Sequence, residues 1–243
     1  MEYIILAAGV GTRLYPYTKN SPKCLVKVSR DETVIERAVR LISTYDVDAH
    51  ITVVVGFCSK SIIGVLGDKC DYIYNPFYRI TNSVASLWFA KDILEKNKYT
   101  VIINADIVFD DNLAKDVTST PTESIAYYDS SIRTNGDYNI QILNGRIVAM
   151  GKNLNEYDGE YVGITKFTPQ GISILLSEVK NMVNEELYDQ WYENAMVQLS
   201  LTMKCGFGAT DVRDYQWSEI DSIDNLLKIR KIINCEQKND CIR

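Results

Sequence analysis

Along the first hundred positions, short unbroken apolar runs alternate with stretches of helical periodicity. Tyr3 to Ala8 is such a run and ends in Gly9-Val10-Gly11-Thr12, the pattern of a parallel strand buried on both faces and feeding a glycine loop. Thr33 to Tyr45 carries Val34, Ile35, Ala38, Leu41 and Ile42 at helical spacing, and Ile51 to Val55 is the next strand-like run. Ser59 to Leu66 reads as a short helix and Asp71 to Tyr74 as a short strand. Asn82 to Leu94 repeats the helical pattern through Val84, Leu87, Trp88, Lys91 and Leu94, before Thr100 to Asn104 resumes a buried strand. This alternation predicts an α/β fold, with an open sheet of parallel strands, right-handed helical crossovers and helices on both faces.

After Asp106 the texture changes. Ser124 to Asp129, Tyr138 to Leu143 and Arg146 to Met150 read as short strands, with Asn144-Gly145 as a two-residue hairpin signal. Tyr161 to Phe167 continues the strand content. Gly171 to Val183 and Tyr188 to Thr202 are amphipathic helices, followed by a strand near Tyr215 to Trp217 and a helix from Ser222 to Ile233. No repeat or Pro/Gly/Ser linker divides the chain, which predicts one domain over residues 1–235 and a polar, frayed tail at 236–243.

Composition narrows the function classes. The chain has 243 residues, 46% hydrophobic, and a net charge of −6 from 26 basic and 32 acidic residues, an ordinary balance for a globular protein. It has no basic cluster that would make a nucleic-acid groove, no apolar run approaching the ~18 to 20 residues of a membrane span and no secretory signal, so a cytoplasmic protein is expected. The six cysteines lack metal-ligand spacing and are expected to be reduced and mostly buried. The single histidine, His50, precedes a strand far from every motif and reads as a surface residue.

The chemistry concentrates in Leu6-Ala7-Ala8-Gly9-Val10-Gly11-Thr12-Arg13-Leu14, where small residues after a strand let backbone N–H groups approach phosphate oxygens. Arg13 adds a guanidinium fork, and Lys23 follows ten residues later, after Pro22. The whole pattern, L-A-A-G-x-G-T-R-L-x-P-x-T-x-x-x-P-K-x-L, is neither a Rossmann fingerprint nor a P-loop. It resembles the signature of the sugar-phosphate nucleotidyltransferase superfamily. That resemblance implies a Rossmann-like three-layer fold, with a mixed, mostly parallel sheet and a small β-rich insertion. It also implies that Leu6, Ala7, Ala8 and Gly9 line the base and ribose, that Gly11, Thr12 and Arg13 hold the triphosphate, and that Lys23 offsets charge on the α-phosphate; Arg13 and Lys23 are the catalytic cations.

Asn104-Ala105-Asp106 closes a buried strand, where open α/β sheets gather ligands. In the resembled superfamily this aspartate ligates Mg²⁺, with Ala105 beside the nucleotide. Trp217-Ser218-Glu219-Ile220-Asp221 resembles the terminal motif of the bacterial phosphocholine and phosphonate-type cytidylyltransferases, which implies Asp221 as the second metal ligand. Asn82-Ser83-Val84-Ala85-Ser86-Leu87 resembles their N-N-x-x-S-L stretch, with Ser83 replacing the second asparagine, and implies base contacts at Asn82 and Ser83. Gly151-Lys152 and Gly159-Glu160-Tyr161 resemble elements of the phosphonate-type relatives, placing Lys152 at the acceptor phosphate and Glu160 in the acceptor site.

The implied reaction moves CMP from CTP to a small phosphorylated or phosphonylated amine and releases pyrophosphate. Asp189, Trp191, Glu219 and Tyr138 are candidates for the acceptor's far end, since carboxylates and aromatic faces together attract an alkylammonium. Trp191 suits plain core as well as a cage. Choline, aminoethyl and amino-acid acceptors stay open, as does a homodimer. A sugar-1-phosphate uridylyl- or thymidylyltransferase shares the fold, and a non-catalytic nucleotide sensor would have no need for both metal carboxylates.

Overall fold

The computed structural model describes residues 1–11, 14, 16, 18–132, 138–202 and 207–240. Its centre is a nine-stranded sheet. The first four strands are β1 (Glu2–Ala7), β2 (His50–Val55), β3 (Asp71–Tyr74) and β4 (Thr100–Asn104). They lie in the order β3-β2-β1-β4 and all pair parallel. Ile4 and Ile102 feed one hydrophobic cluster while Tyr3, Ile5, Val101 and Ile103 feed another, so β1 and β4 bury both faces, as their unbroken apolar runs require.

Helices cover both faces. α1 (Val34–Tyr45) and α2 (Ser59–Leu66) pack on one side; α3 (Ser83–Phe89) and α4 (Lys91–Leu94) pack on the other. Thr33 closes a reciprocal capping box with Glu36 at the start of α1, which satisfies two N-terminal backbone donors and fixes where the helix begins. The stretch expected as one helix from Asn82 to Leu94 is divided at Ala90.

The second half of the chain extends the same sheet. β5 (Ile107–Phe109) leads into α5 (Asp111–Val117) and β6 (Ser124–Asp129), followed by β7 (Asn139–Leu143), β8 (Arg146–Gly151) and β9 (Gly159–Phe167). α6 (Pro169–Asn184), α7 (Glu193–Thr202), β10 (Phe207–Asp211), β11 (Trp217–Glu219) and α8 (Ile223–Asp240) complete it. The sheet continues β4-β9-β6-β10-β8-β7, and β9 also pairs with β7.

One expectation about the sheet is corrected by its pairings. Beyond β4, only β6 and β10 pair parallel, the other neighbours being antiparallel; β8 and β9 run against the other seven strands, so the sheet is mixed. The β-rich segment is not an insertion apart from the sheet, because β9 bonds β4 along one edge and β6 along the other. The β7–β8 hairpin turns at Asn144 (φ 52°) and Gly145 (φ 75°), the paired positive φ values of the twist-compatible turn. α8 runs to Asp240, past the expected end at Ile233.

β1, β2 and β4 end level, with Ala7 opposite Val55 and Leu6 opposite Asn104. The loops leaving them are held together by Phe57 N–H donating to Ala8 O at 3.0 Å and Ala105 N–H to Leu6 O at 3.2 Å. Gly56 makes this possible, since a Cβ there would lie 2.7 Å from both Ala8 O and Tyr78 Cβ. Gly56→Ala is therefore expected to destabilise the protein by about 1 to 3 kcal/mol through overpacking. Urea denaturation checks the loss, and an unchanged midpoint would show that the loops yield freely.

Candidate active site

The strand ends open into a cleft of about 430 Å³, with a smaller hollow of about 90 Å³ beside it. Leu6, Ala8, Gly9 and Gly11 form the wall left by β1, and Ala7 and Ala105 line the hollow. Gly11 has φ +68°, and a Cβ on it would stand 2.9 Å from Lys23 Cβ; both facts demand glycine where the loop crosses Lys23. Thr12 and Arg13 lie outside the described residues.

Lys23 begins a 3-10 turn (Lys23–Leu25) directly after the extended Pro22. Its side chain is nearly buried, and Nζ reaches Asp106 Oδ2 at 2.8 Å, Glu219 Oε1 at 3.4 Å and Asp221 Oδ1. The three acidic residues arrive from distant segments. Asp106 follows β4, and β5 then pairs antiparallel with β11, placing Glu219 opposite Ile107. Ile220 N–H donates to Asp106 O at 3.0 Å and locks the join. Glu219 and Asp221 are two apart on an extended segment, so they share a side of it.

One carboxylate oxygen from each of Asp106, Glu219 and Asp221 falls within 4.8 Å of the others. Three hard oxygen donors at this spacing fit a small divalent cation. Burial, then repulsion from Asp106, pushes the Glu219 carboxyl up to about 8 despite Lys23. Burial opposes the charge on Lys23, yet Asp106 and Glu219 hold its ammonium above the ordinary lysine value. Glu219, expected at the acceptor's far end, lines the cleft beside Asp106 and Asp221.

The opposite wall of the cleft is built by α3 and the start of α7. Asn82, Ser83, Tyr138, Glu160 and Trp191 line the cleft. The segment before α7, expected as helix from Tyr188, is a turn clamped to α3. Asn82 N–H donates to Tyr188 O at 2.9 Å, Val84 N–H to Gln190 O at 3.3 Å and Tyr192 N–H to Ser83 Oγ at 2.8 Å. Trp191 is half-buried in this wall and stacks on Tyr138 at 5.7 Å between ring centroids. Lys152 Nζ lies 3.6 Å from the Trp191 ring centroid. Asp189 is not brought to the cleft: it is exposed and accepts from the Gln190 side chain at 3.0 Å, because the turn points it outward.

Glu193 lines the cleft and was not expected there. It is 4% exposed, and Asn104 Nδ2 donates to it at 3.4 Å. Burial pushes its carboxyl up to about 7. The one sequence signal for it is its place two residues beyond Trp191, where α7 begins. His50 is exposed at the far end of β2, and Cys24, Cys58 and Cys70 are free thiols.

Known proteins resemble this chain in sequence and in fold. A sequence model of the family described as Nucleotidyl transferase matches residues 2–132, and the chain belongs to that family: it is a nucleotidyltransferase. A CTP:phosphoglutamine cytidylyltransferase of Campylobacter jejuni is 27% identical over 250 residues, covering 93% of this chain and 98% of the relative. A 2-aminoethylphosphonate cytidylyltransferase of Lancefieldella rimae is 27% identical over 92% of this chain and 89% of its own. The solved CTP:phosphocholine cytidylyltransferase of Streptococcus pneumoniae superposes with a TM-score of 0.78 at 21% identity, covering 96% of this chain and 98% of that one, which shows the same fold.

Glu193 gives a stability test. Its folded pKa lies above the ordinary 4.5, so the native state binds the extra proton between pH 4.5 and about 7. Stability from this group is present below pH 4.5 and is lost as pH rises through 7. Glu193→Gln should therefore raise the melting temperature at pH 8, by at most about 3 kcal/mol of stability, and have little effect at pH 4.5. Equal effects at both pH values would mean the carboxyl is not strained by burial.

Proposed function

We propose that the chain is a Mg²⁺-dependent cytidylyltransferase, one domain over residues 1–235 acting in the cytoplasm, that transfers CMP from CTP to a small phosphorylated or phosphonylated amine. The observation that carries this reading is the convergence of Asp106, Glu219 and Asp221 on Lys23, directly beside the glycine turn. The cytidylyltransferase relatives, matched over nearly their whole lengths, support the nucleotide and the acceptor class.

The reacting groups are two polyanions, so the protein's task is to offset repulsion and align the attack on the α-phosphorus. An acceptor phosphate is already an anionic nucleophile at neutral pH, so no general base is needed, and none of the side chains in this cleft is a histidine. Asp106, Glu219 and Asp221 would hold the Mg²⁺, which when bound supplies Lewis-acid neutralisation of phosphate charge. The turn at Gly9 and Gly11 brings backbone to the phosphates. Lys23, pinned beneath that turn, faces the charge that develops on the α-phosphate. Asn82 and Ser83 stand at the base, and Trp191 and Tyr138 at the acceptor.

Pyrophosphate release, measured with each NTP against phosphocholine, aminoethylphosphonate, phosphoglutamine and glucose-1-phosphate, tests the reading. CTP with an amine-bearing acceptor should win by well over tenfold. Turnover of glucose-1-phosphate with UTP or dTTP would move the chain to the sugar branch, and nucleotide binding without turnover would make it a sensor. Asp106→Ala and Asp221→Ala should each abolish release with the fold intact. Lys23→Ala should lower kcat/KM by about 2 to 4 kcal/mol, as when a preorganised charge facing the transition state is lost. An unchanged kcat with a higher nucleotide KM would reduce Lys23 to a ground-state anchor.

A further inference from the structure

The Lys152 ammonium stands 3.6 Å from the Trp191 ring centroid, whereas the other lysine and arginine contacts with rings among the described residues are 5.4 Å or longer. A cation this close to an indole face is in the attractive range of the ring quadrupole. Trp191 lines the cleft, and two residues on, Glu193 offers a buried carboxylate whose side-chain hydrogen bond among the described residues is a long 3.4 Å contact to Asn104. Such a carboxylate is costly to bury unless a cation meets it. An aromatic face and an underused carboxylate at one end of the cleft are the two halves of a seat for an ammonium, and the protein's own lysine is parked on the first half.

We infer that Lys152 is an internal occupant of the acceptor's cation seat: the acceptor's cationic group displaces its ammonium from the Trp191 ring and takes Glu193 as counter-ion. Lys152 follows β8 in a turn and is exposed, so its flexible stem can move the ammonium into water at little cost.

This rests on the amine-acceptor reading of the site, and the test separates the two. Phosphocholine and its uncharged isostere 3,3-dimethylbutyl phosphate are titrated into the full-length protein, with binding followed by tryptophan fluorescence and turnover by pyrophosphate release from CTP. Lys152→Met keeps the stem and removes the charge. It should tighten phosphocholine by about two- to fivefold, the worth of a displaced surface cation–π contact, and leave the isostere unchanged. Glu193→Gln should weaken phosphocholine at least tenfold while the KM for CTP stays within about twofold, erasing the preference over the isostere. If Lys152→Met weakens both ligands, Lys152 holds the phosphate and the inference falls. It falls too if the variant changes neither ligand, or if the unaltered protein binds both equally. If the binding preferences hold while no pyrophosphate is released, the seat stands and the cytidylyl-transfer reading fails.

Discussion

A single ammonium surrounded by three carboxylates sets the terms for the rest of this structure. Asp106, Glu219 and Asp221 all reach Lys23, whose side chain is nearly buried. Gathering three negative charges at one point in a partly dry cleft is unfavourable, and one lysine cannot balance them. The raised carboxyl of Glu219 follows first from its burial and then from the repulsion of Asp106, which Lys23 only partly offsets. A site left one or more positive charges short when alone is suited to a divalent cation arriving with a nucleotide, which makes the free state's strain the bound state's affinity.

The fold is arranged to sustain this concentration of charge. The parallel block β3-β2-β1-β4 brings three strand ends level and leaves the glycine turn with Lys23 tucked beneath it. The small β5–β11 pair then ties residues more than a hundred positions apart, so Glu219 and Asp221 cannot separate from Asp106 without breaking backbone hydrogen bonds. The opposite wall is tied as firmly. The turn carrying Trp191 stands on the first residues of α3, through Asn82, Ser83 and Val84. Residues expected at the base therefore also support the wall that carries Trp191, so the two sides of the cleft share α3.

Much of this was legible in the chain. Strands buried on both faces announce themselves as unbroken apolar runs, so β1, β2 and β4 and the glycine loop after β1 were placed within a residue or two. The hairpin at Asn144-Gly145 was legible because its turn chemistry is local. What escaped depended on distant contacts. β5 is three residues long and exists because β11 pairs with it, and the same pairing brings Glu219 beside Asp106. The stretch from Tyr188 has helical spacing but is held as a turn by α3, which turned Asp189 outward and brought Glu193 in. The place of the β-rich segment within the main sheet escaped for the same reason: β9 bonds two strands that no local pattern links to it.

The central claim, that Lys23 and a divalent cation answer the same three carboxylates, is tested most directly by Mn²⁺ binding followed by electron paramagnetic resonance in the absence of nucleotide. Lys23→Met leaves the carboxylates without their ammonium, and the account predicts that it binds Mn²⁺ at least about tenfold more tightly than the unaltered protein, as the loss of a competing charge at hydrogen-bond distance requires. Mn²⁺ affinity that is unchanged or weaker in Lys23→Met would contradict it.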